Sequence, residues 1–301
     1  MSRAFDLPAY LAAEAAPVQA ALERAVDWIG AGVLGDVAGA VRHGVLSDGK
    51  RLRPILCVTA YRACGRVPTA AAYDLAASLE LIHAYSLMHD DLPCMDDAEL
   101  RRGRPTTHRA HGEDVTTRAG AALIPAAALQ AWRAAEALGC PPDVVGAVVA
   151  RLLEAAGGGG MVGGQWLDLE GEGRALSPQA LDELHRRKTG ALLAASLLVG
   201  ATAARAPGAT LEALERYGRA VGLAFQIADD ILDATQGAET LGKNPSDTAL
   251  AKSTYVALYG LDEARRLAEA QVDAALTALR ASGLDAPALS ALARFVVERK
   301  H

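Results

Sequence analysis

Residues 189–204 read TGALLAASLLVGATAA, a run of 16 residues without one charged side chain. A helix that is apolar on every side belongs in the interior of a helical protein. The run is also shorter than the roughly 20 residues that a membrane-spanning helix needs. It is therefore predicted to be a buried central helix around which other helices pack.

The composition of the 301 residues agrees with this. Hydrophobic residues make up 51% and aromatic residues only 4%; the apolar content is mostly Ala and Leu, which favour helix over strand. This predicts an all-α protein with a large core, and it excludes wholesale disorder. The net charge of −6 argues against a nucleic-acid partner, which would require a basic face.

Periodic apolar positions separated by Gly, Pro and Asp predict a series of helices. They lie at about 7–30, 54–64, 70–91, 114–138, 142–156, 160–169, 177–185, 189–204, 209–235, 252–280 and 286–300. The polar stretch 94–112 is predicted to be a loop. No shift in composition marks a domain boundary, so residues 1–301 are predicted to form a single domain, a helical bundle.

Two acidic clusters lie far apart in the sequence, each beside an apolar helix. The first contains Asp90-Asp91 and, further on, Asp96-Asp97; the second is Asp229-Asp230-x-x-Asp233. In a helix, Asp229 and Asp233 share one face and Asp230 flanks it. One Asp pair is usually a solvated surface feature. Two clusters in apolar surroundings instead favour a bound cation. A ligand set made only of oxygen atoms selects Mg²⁺, which is usually coordinated by phosphate groups as well.

The spacing of the first cluster needs a local distortion. A regular helix would place Asp96 about 240° around the axis from Asp90. Pro93 interrupts the helix, and a bulge at residues 92–95 could bring Asp96 back beside Asp90. Asp97 is the alternative third ligand, and the sequence leaves this choice open.

Basic residues accompany both acidic clusters. Arg side chains bind phosphate oxygens as forks and Lys side chains bind them as point charges. Many carboxylates together with many cations therefore predict a metal-bridged phosphate that is also held directly by the protein. The candidates are Lys50, Arg51, Arg53, Arg101, Arg102, Arg104, Lys188, Lys243 and Lys252.

Taken in order, these motifs resemble those of the trans-polyprenyl diphosphate synthases, and most of all the bacterial farnesyl diphosphate synthases. The similarity covers about residues 45–260. The matching motifs are Gly49-Lys50-Arg51-Leu52-Arg53-Pro54, His83, Asp90-Asp91-x4-Asp96, Arg101-Arg102-Gly103-x-Pro105-Thr106-x-His108, Gly163-Gly164-Gln165, Lys188-Thr189-Gly190, Phe225-Gln226-x-x-Asp229-Asp230-x-x-Asp233, Leu241-Gly242-Lys243 and Lys252-Ser253-Thr254-Tyr255.

The resemblance implies the isoprenoid synthase fold, with antiparallel helices around a deep central cavity, and a homodimer. It also implies that isopentenyl diphosphate is added head-to-tail to dimethylallyl or geranyl diphosphate by ionisation, condensation and elimination. About three Mg²⁺ ions per site would assist the ionisation. The residues implied as metal ligands are Asp90, Asp91, Asp96, Asp229, Asp230 and Asp233.

The other site residues divide by the substrate that the resemblance implies for them. Arg101, Lys188, Lys243 and Lys252 would contact the allylic diphosphate. Lys50, Arg53, His83 and Arg102 would hold isopentenyl diphosphate. Thr189 and Gln226 would lie near the reacting carbons, so that the catalytic set is Asp90, Asp91, Asp229, Asp230, Lys188, Thr189 and Gln226.

Product length is expected to depend on the helix before the first cluster. Tyr85 lies five residues before Asp90, about 7.5 Å down the helix, beside the small Ser86. In the family that this chain resembles, an aromatic residue here and a two-residue insertion in the acidic motif accompany a fifteen-carbon product. Farnesyl diphosphate is the expected product, geranylgeranyl diphosphate is the alternative, and a terpene cyclase is a weaker one because aromatic residues are few.

The remaining expectations concern location. The cysteines Cys57, Cys64, Cys94 and Cys140 form no C-x-x-C pair, which is typical of a reducing compartment. The first residues contain no apolar region of a signal peptide. A cytoplasmic protein without a membrane span is expected.

Overall fold

A computed structural model describes residues 5–33, 35–235 and 253–298. The sequence predictions for Lys243 and Lys252 lie outside the described residues. In chain order the elements are α1 (Leu7–Gly32), α2 (Val37–Val45), α3 (Leu52–Ala63), α4 (Ala70–Asp90), β1 (Leu100–Arg101), β2 (Arg104–Pro105), α5 (Thr107–His111), α6 (Glu113–Ala137), α7 (Pro142–Ala156), α8 (Met161–Gly171), α9 (Pro178–His185), a π-helical turn (Arg186–Gly190), α10 (Ala191–Ala203), α11 (Gly208–Thr235), α12 (Tyr255–Tyr259), α13 (Leu261–Ala281) and α14 (Pro287–Glu298).

Helix α10 lies at the centre of the bundle. All its residues from Leu192 onward are buried, and it packs against α3, α7 and α11. Gly200 permits the close approach of α3, because a Cβ atom there would lie 2.1 Å from the Cys57 carbonyl oxygen. The prediction of a buried, all-round apolar central helix is confirmed.

Further helix pairs extend the core to both ends of the chain. Helix α4 packs on α1 and α6, and α11 packs on α13. The main cluster of buried apolar side chains runs from Leu7 in α1 to Val296 in α14. The predicted all-α helical bundle is thus confirmed for the described residues; that residues 1–301 are one domain stays a prediction.

The structure differs from the sequence prediction in three segments. Helix α2 is an additional short helix. The predicted loop 94–112 contains a two-residue antiparallel strand pair, closed by a turn in which Gly103 has φ +75°, and then helix α5. The predicted helix 252–280 is two helices, α12 and α13, because the chain changes direction at Gly260, where φ is +79°.

The stretch Pro142–Gly171 passes a length and hydropathy test for crossing a membrane, with mean hydropathy 1.3 over its most apolar window. In the structure it consists of two helices, α7 and α8, joined by a turn at residues 157–160. Helix α7 packs on α6 and α10, and a core helix of this kind satisfies the same test. The absence of a membrane span stays a prediction.

Candidate functional site

Two neighbouring cavities lie at the ends of α4, α8 and α11. The first, which we call the acidic cavity, has a volume of about 240 Å³. The second, the apolar cavity, has a volume of about 270 Å³. They share the wall residues Leu87, Asp90, Lys188 and Thr189. A ligand with a charged head and an apolar tail could therefore occupy both at once.

The acidic cavity brings together most of the predicted metal ligands. Asp90 and Asp96 line it from the end of α4 and the following loop, and three aspartates line it from α11. Those three are Asp229, Asp230 and Asp233. Residues of both acidic clusters therefore line one cavity, and their role as metal ligands stays a prediction.

The loop after α4 has the bulge that the sequence required. The backbone N–H of Asp96 donates to the carbonyl oxygen of Asp90 at 2.9 Å, which brings the two residues together. Asp97 has φ +45° and an exposed side chain near Arg109. Of the two alternatives left open by the sequence, Asp96 is the one that lines the cavity.

The carboxyl group of Asp90 is costly to ionise in this position. Burial raises the pKa of its carboxyl to about 6; the charge of Lys188 opposes this shift and the Asp96 carboxylate adds to it. A carboxylate that is costly to ionise alone becomes favourable once a divalent cation binds beside it.

Asp91 has a different position from the one predicted. Its side chain is buried and accepts hydrogen bonds from Arg101 Nε and Nη2, at 2.9 and 2.5 Å to Oδ1. It does not line the acidic cavity, whereas Arg101 does. Its prediction as a metal ligand is therefore not supported by the structure: Asp91 instead orients the Arg101 guanidinium, because a two-pronged ion pair fixes the plane of an Arg side chain.

The π-helical turn places Lys188 and Thr189 in the wall between the cavities. A π-helical turn holds more residues than an α-helical one, and such turns are frequent at functional sites. Lys188 Nζ donates to Asp168 Oδ2 at 2.6 Å, and the Thr189 hydroxyl donates to Gln226 Oε1 at 2.7 Å. Helix α8 can approach this turn because Gly164 lacks a side chain; a Cβ atom would lie 2.1 Å from the Lys188 backbone nitrogen.

The apolar cavity lies between α4 and α8. Its wall includes Tyr85 and Ser86 on α4, and that these two residues determine chain length stays a prediction. Met161, Val162, Gln165, Trp166 and Leu169 line it from α8, and Met95 from the loop. The Tyr85 ring packs edge-on against His89, with ring centroids 4.9 Å apart, so the phenol is held in place in the wall.

Positive charge gathers at one end of the apolar cavity, where Arg53 and His83 line its wall. Burial lowers the pKa of Arg53 to about 10, so the guanidinium stays charged at neutral pH. Its Nε is buried and has no hydrogen-bond partner among the described residues. Burial and the charges of Arg53, Arg102 and Arg101 hold the pKa of the His83 imidazole well below its usual range. This end can bind an anion.

Two other predicted contacts for isopentenyl diphosphate lie outside the walls of both cavities. Lys50 lies over the Phe295 ring, with Nζ 6.0 Å from the ring centroid. Arg102, whose φ is +55°, donates to the Asp48 carbonyl oxygen. The charge of Arg102 still acts on His83, but the structure gives neither side chain a place in the cavity walls.

Two titratable wall residues of the acidic cavity lie outside the sequence motifs. Asp168 is buried on α8 and holds Lys188; its position three residues after Gln165, on one helical face, was the available signal. His185 is buried at the end of α9, and burial lowers the pKa of its imidazole to about 4. Nothing in the sequence distinguishes His185 from any other histidine at the end of a helix.

The donor set of the acidic cavity fits magnesium that is shared with a ligand. The five cavity aspartates that belong to the two acidic clusters offer hard oxygen atoms, as Mg²⁺ prefers. Among the described residues, no group of three or more His, Cys, Asp or Glu side chains is arranged to hold a metal ion by itself. Phosphate oxygens would have to complete the coordination, which is how Mg²⁺ is usually held with phosphate substrates.

An all-α bundle with two aspartate clusters beside an apolar cavity defines a class of protein. Comparison with known sequences assigns the chain to the same class. The family model for polyprenyl synthetase matches residues 36–284. The chain belongs to the polyprenyl synthetase family and is a prenyltransferase, with the isoprenoid synthase fold.

Individual relatives agree with this assignment. The farnesyl diphosphate synthase of Escherichia coli (strain K12) is 43% identical over 268 residues, which is 87% of this chain and 89% of that protein. The chloroplastic geranylgeranyl pyrophosphate synthase 9 of Arabidopsis thaliana is 40% identical, over 88% of this chain and 74% of that protein. The solved geranyltransferase of Helicobacter pylori, complexed with magnesium and isoprenyl diphosphate, has a TM-score of 0.76 at 29% identity, over 99% of this chain and 98% of that one.

Proposed function

We propose that the protein condenses isopentenyl diphosphate with dimethylallyl and geranyl diphosphate in the presence of Mg²⁺, and that its main product is farnesyl diphosphate. One observation carries the proposal: the cavity that collects both acidic clusters shares a wall with an apolar cavity that has Arg53 and His83 at one end. The relatives named farnesyl diphosphate synthase support the choice of product.

The acidic cavity would bind the diphosphate of the allylic substrate. Asp90 and Asp96 on one side and the aspartates of α11 on the other would hold about three Mg²⁺ ions, the number inferred from the family resemblance. Bound magnesium supplies positive charge to the diphosphate as it leaves the allylic carbon. Lys188 and Arg101 would contact the same diphosphate directly, each already oriented by a carboxylate, Asp168 and Asp91 respectively.

The apolar cavity would bind the hydrocarbon chain and keep water away from the allylic cation. Thr189 lines both cavities and donates to Gln226, which lines the acidic cavity; both side chains would face the reacting carbons. Arg53 and His83 would hold the diphosphate of isopentenyl diphosphate, whose double bond attacks the cation. The departing diphosphate would accept the proton lost at the end.

Geranylgeranyl diphosphate is the second candidate product. The apolar cavity is bounded on α8 by Val162 and Trp166, whose residues are 43% and 63% exposed. A wall this open could accommodate a longer chain. The relative named geranylgeranyl pyrophosphate synthase 9 has 40% sequence identity to this chain.

The same exposed side chains support a homodimer. Leu129 and Trp132 on α6 and Leu153 on α7 are also exposed apolar residues, and a surface on which such residues form one patch would favour association. A second copy of the chain on this face would close the α8 wall. Light scattering of the purified protein tests this: a dimer is expected, and Trp132→Glu should shift the mass toward that of a monomer.

A direct assay tests the reaction. The purified protein is incubated with Mg²⁺, isopentenyl diphosphate and one allylic diphosphate at a time, and the products are sized by chain length. Fifteen-carbon chains are expected from dimethylallyl and geranyl diphosphate, and chelation of the metal should stop the reaction. Release of diphosphate without chain growth, or a cyclic hydrocarbon, would contradict the proposal. A cytoplasmic location is also proposed, and cell fractionation tests it.

A further inference from the structure

Three consecutive residues, Ser253, Thr254 and Tyr255, join several elements around the acidic cavity. Ser253 and Thr254 line the cavity. Ser253 Oγ accepts from the Leu176 backbone N–H and donates to the Arg174 carbonyl oxygen, both at 3.0 Å. The segment is therefore fixed to the connection between α8 and α9.

Tyr255 joins α9 and α11. Its backbone N–H donates to Asp230 Oδ2 at 2.7 Å, and its hydroxyl donates to Asp182 Oδ1. Its ring stacks on His185, with centroids 5.6 Å apart and planes inclined by 24°. Only 3% of Tyr255 is exposed. These contacts fix the backbone nitrogen that in turn orients the Asp230 carboxylate.

We propose that Tyr255 is a positioning residue for the metal-binding carboxylates of α11. Its phenol, anchored on Asp182, and its ring, stacked on His185, hold the backbone N–H that sets the orientation of Asp230. The inference rests on the proposed function, because it assigns Asp230 to a site for magnesium and diphosphate. Partners that orient the ligands of a metal are typically worth a factor of about 10–100 in metal affinity.

The Tyr255 hydroxyl donates to the carboxylate of Asp182 on α9, which anchors the ring. Asp182 is itself exposed, so a substitution there removes the anchor with little effect on the core.

Metal binding can be measured without turnover. Mn²⁺ binding in the presence of inorganic diphosphate is followed by electron paramagnetic resonance for the unmodified protein, Tyr255→Phe and Asp182→Ala. The expected result is an about 10-fold weaker Mn²⁺ affinity in both variants. The half-saturating Mg²⁺ concentration for turnover should rise by the same factor, while KM for isopentenyl diphosphate stays within about 2-fold of the unmodified value.

Tyr259→Phe is the matched control. Tyr259 lies one turn further along α12, and its partly exposed ring stacks on Tyr255 at 6.1 Å. The same loss of a hydroxyl there should leave Mn²⁺ affinity unchanged.

Two outcomes would overturn the inference, and they are distinguishable. Equal Mn²⁺ affinity in the unmodified protein, Tyr255→Phe and Asp182→Ala would remove Tyr255 as a positioning residue and leave the proposed function intact. Failure of the unmodified protein to bind Mn²⁺ with diphosphate would remove the proposed function and the inference together. If Tyr255→Phe loses helicity by circular dichroism, Asp182→Ala decides between these outcomes.

Discussion

The acidic and apolar cavities share walls on α4, α8 and the π-helical turn but are lined in opposite ways. The acidic cavity is lined by charged side chains that hold one another, as Lys188 holds Asp168. The apolar cavity is lined mainly by side chains such as Tyr85 and Trp166 that fill space, and its charged residues are Arg53 and the shared Asp90 and Lys188. Both meet on α4, where Tyr85 and Asp90 are little more than one helical turn apart.

If the proposed function is correct, this contrast predicts that reaction rate and product length are controlled by separable sets of residues. Charges act on bond cleavage because they stabilise the leaving diphosphate. On the same proposal, the shape of the apolar cavity acts on chain growth because a packed wall stops the tail. Substitutions in the acidic cavity should therefore change rates by large factors, and substitutions in the apolar cavity should change products more than rates.

The largest effect is expected for Asp229→Ala. Removing a carboxylate that would hold magnesium should lower kcat/KM by about 1,000-fold, since preorganised charge at the leaving group is worth this much or more. Steady-state kinetics measures the loss, and circular dichroism should show unchanged helicity. Asp97→Ala is the control, because that side chain is exposed; a comparable loss in the control would contradict the assignment of Asp96 to the cavity.

A smaller effect is expected at the charged end of the apolar cavity. Arg53→Met should raise KM for isopentenyl diphosphate by about 10–100-fold, the value of one or two charge-assisted hydrogen bonds. KM for the allylic substrate should change little. Arg104→Met, on the exposed β2 strand, is the comparison variant. A larger effect of Arg53→Met on the allylic substrate would reverse the assignment of the two diphosphates.

The next expected effect is a loss of folding stability at acidic pH that is due to His185. The folded His185 has a pKa near 4 because it is buried, and the unfolded value is about 6.5. As the pH falls from 6.5 toward 4, the unfolded state takes up the proton first, so the folded state loses stability. Between pH 7 and pH 5 the loss from this group should be about 1–2 kcal/mol.

Urea denaturation of His185→Gln at the two pH values measures this loss. The pH dependence should become shallower by that amount relative to the unmodified protein. His111→Gln, in the partly exposed end of α5, serves as the reference substitution. An unchanged pH dependence in His185→Gln would show that this histidine is not held neutral by the fold.

The smallest rate effect, with the clearest change of product, is expected for Tyr85→Ala. Removing the ring deepens the apolar cavity, so products longer than fifteen carbons should accumulate while kcat changes less than about 5-fold. Chromatographic sizing of the products measures the shift. Unchanged chain lengths would exclude Tyr85 as the residue that stops the growing tail.

Much of this arrangement could be predicted from the sequence. The apolar run 189–204 predicted the central helix, and the two Asp clusters predicted a shared site, because such residues are costly in those positions without a tertiary reason. The bulge after Asp90 could be predicted because Pro93 and the spacing of Asp96 are incompatible with a regular helix.

The remainder depended on tertiary contacts that sequence patterns do not encode. Helix α2 contains Gly39 and Gly44, which lower helix propensity; Gly44 makes room for Met88, since a Cβ atom there would lie 2.4 Å from the sulfur. Asp91 was grouped with its neighbour Asp90, yet adjacent residues on a helix point in different directions, and only the fold places Arg101 beside it.

The π-helical turn Arg186–Gly190 also fixes the length of the chain at this point. A π-helical turn holds one residue more than the α-helical turn it replaces, so removing one residue there would restore regular α-helix and change which side chains the turn presents to the cavities. Lys188 and Thr189 would leave the wall between the cavities. During evolution this turn should therefore tolerate substitutions more readily than insertions or deletions.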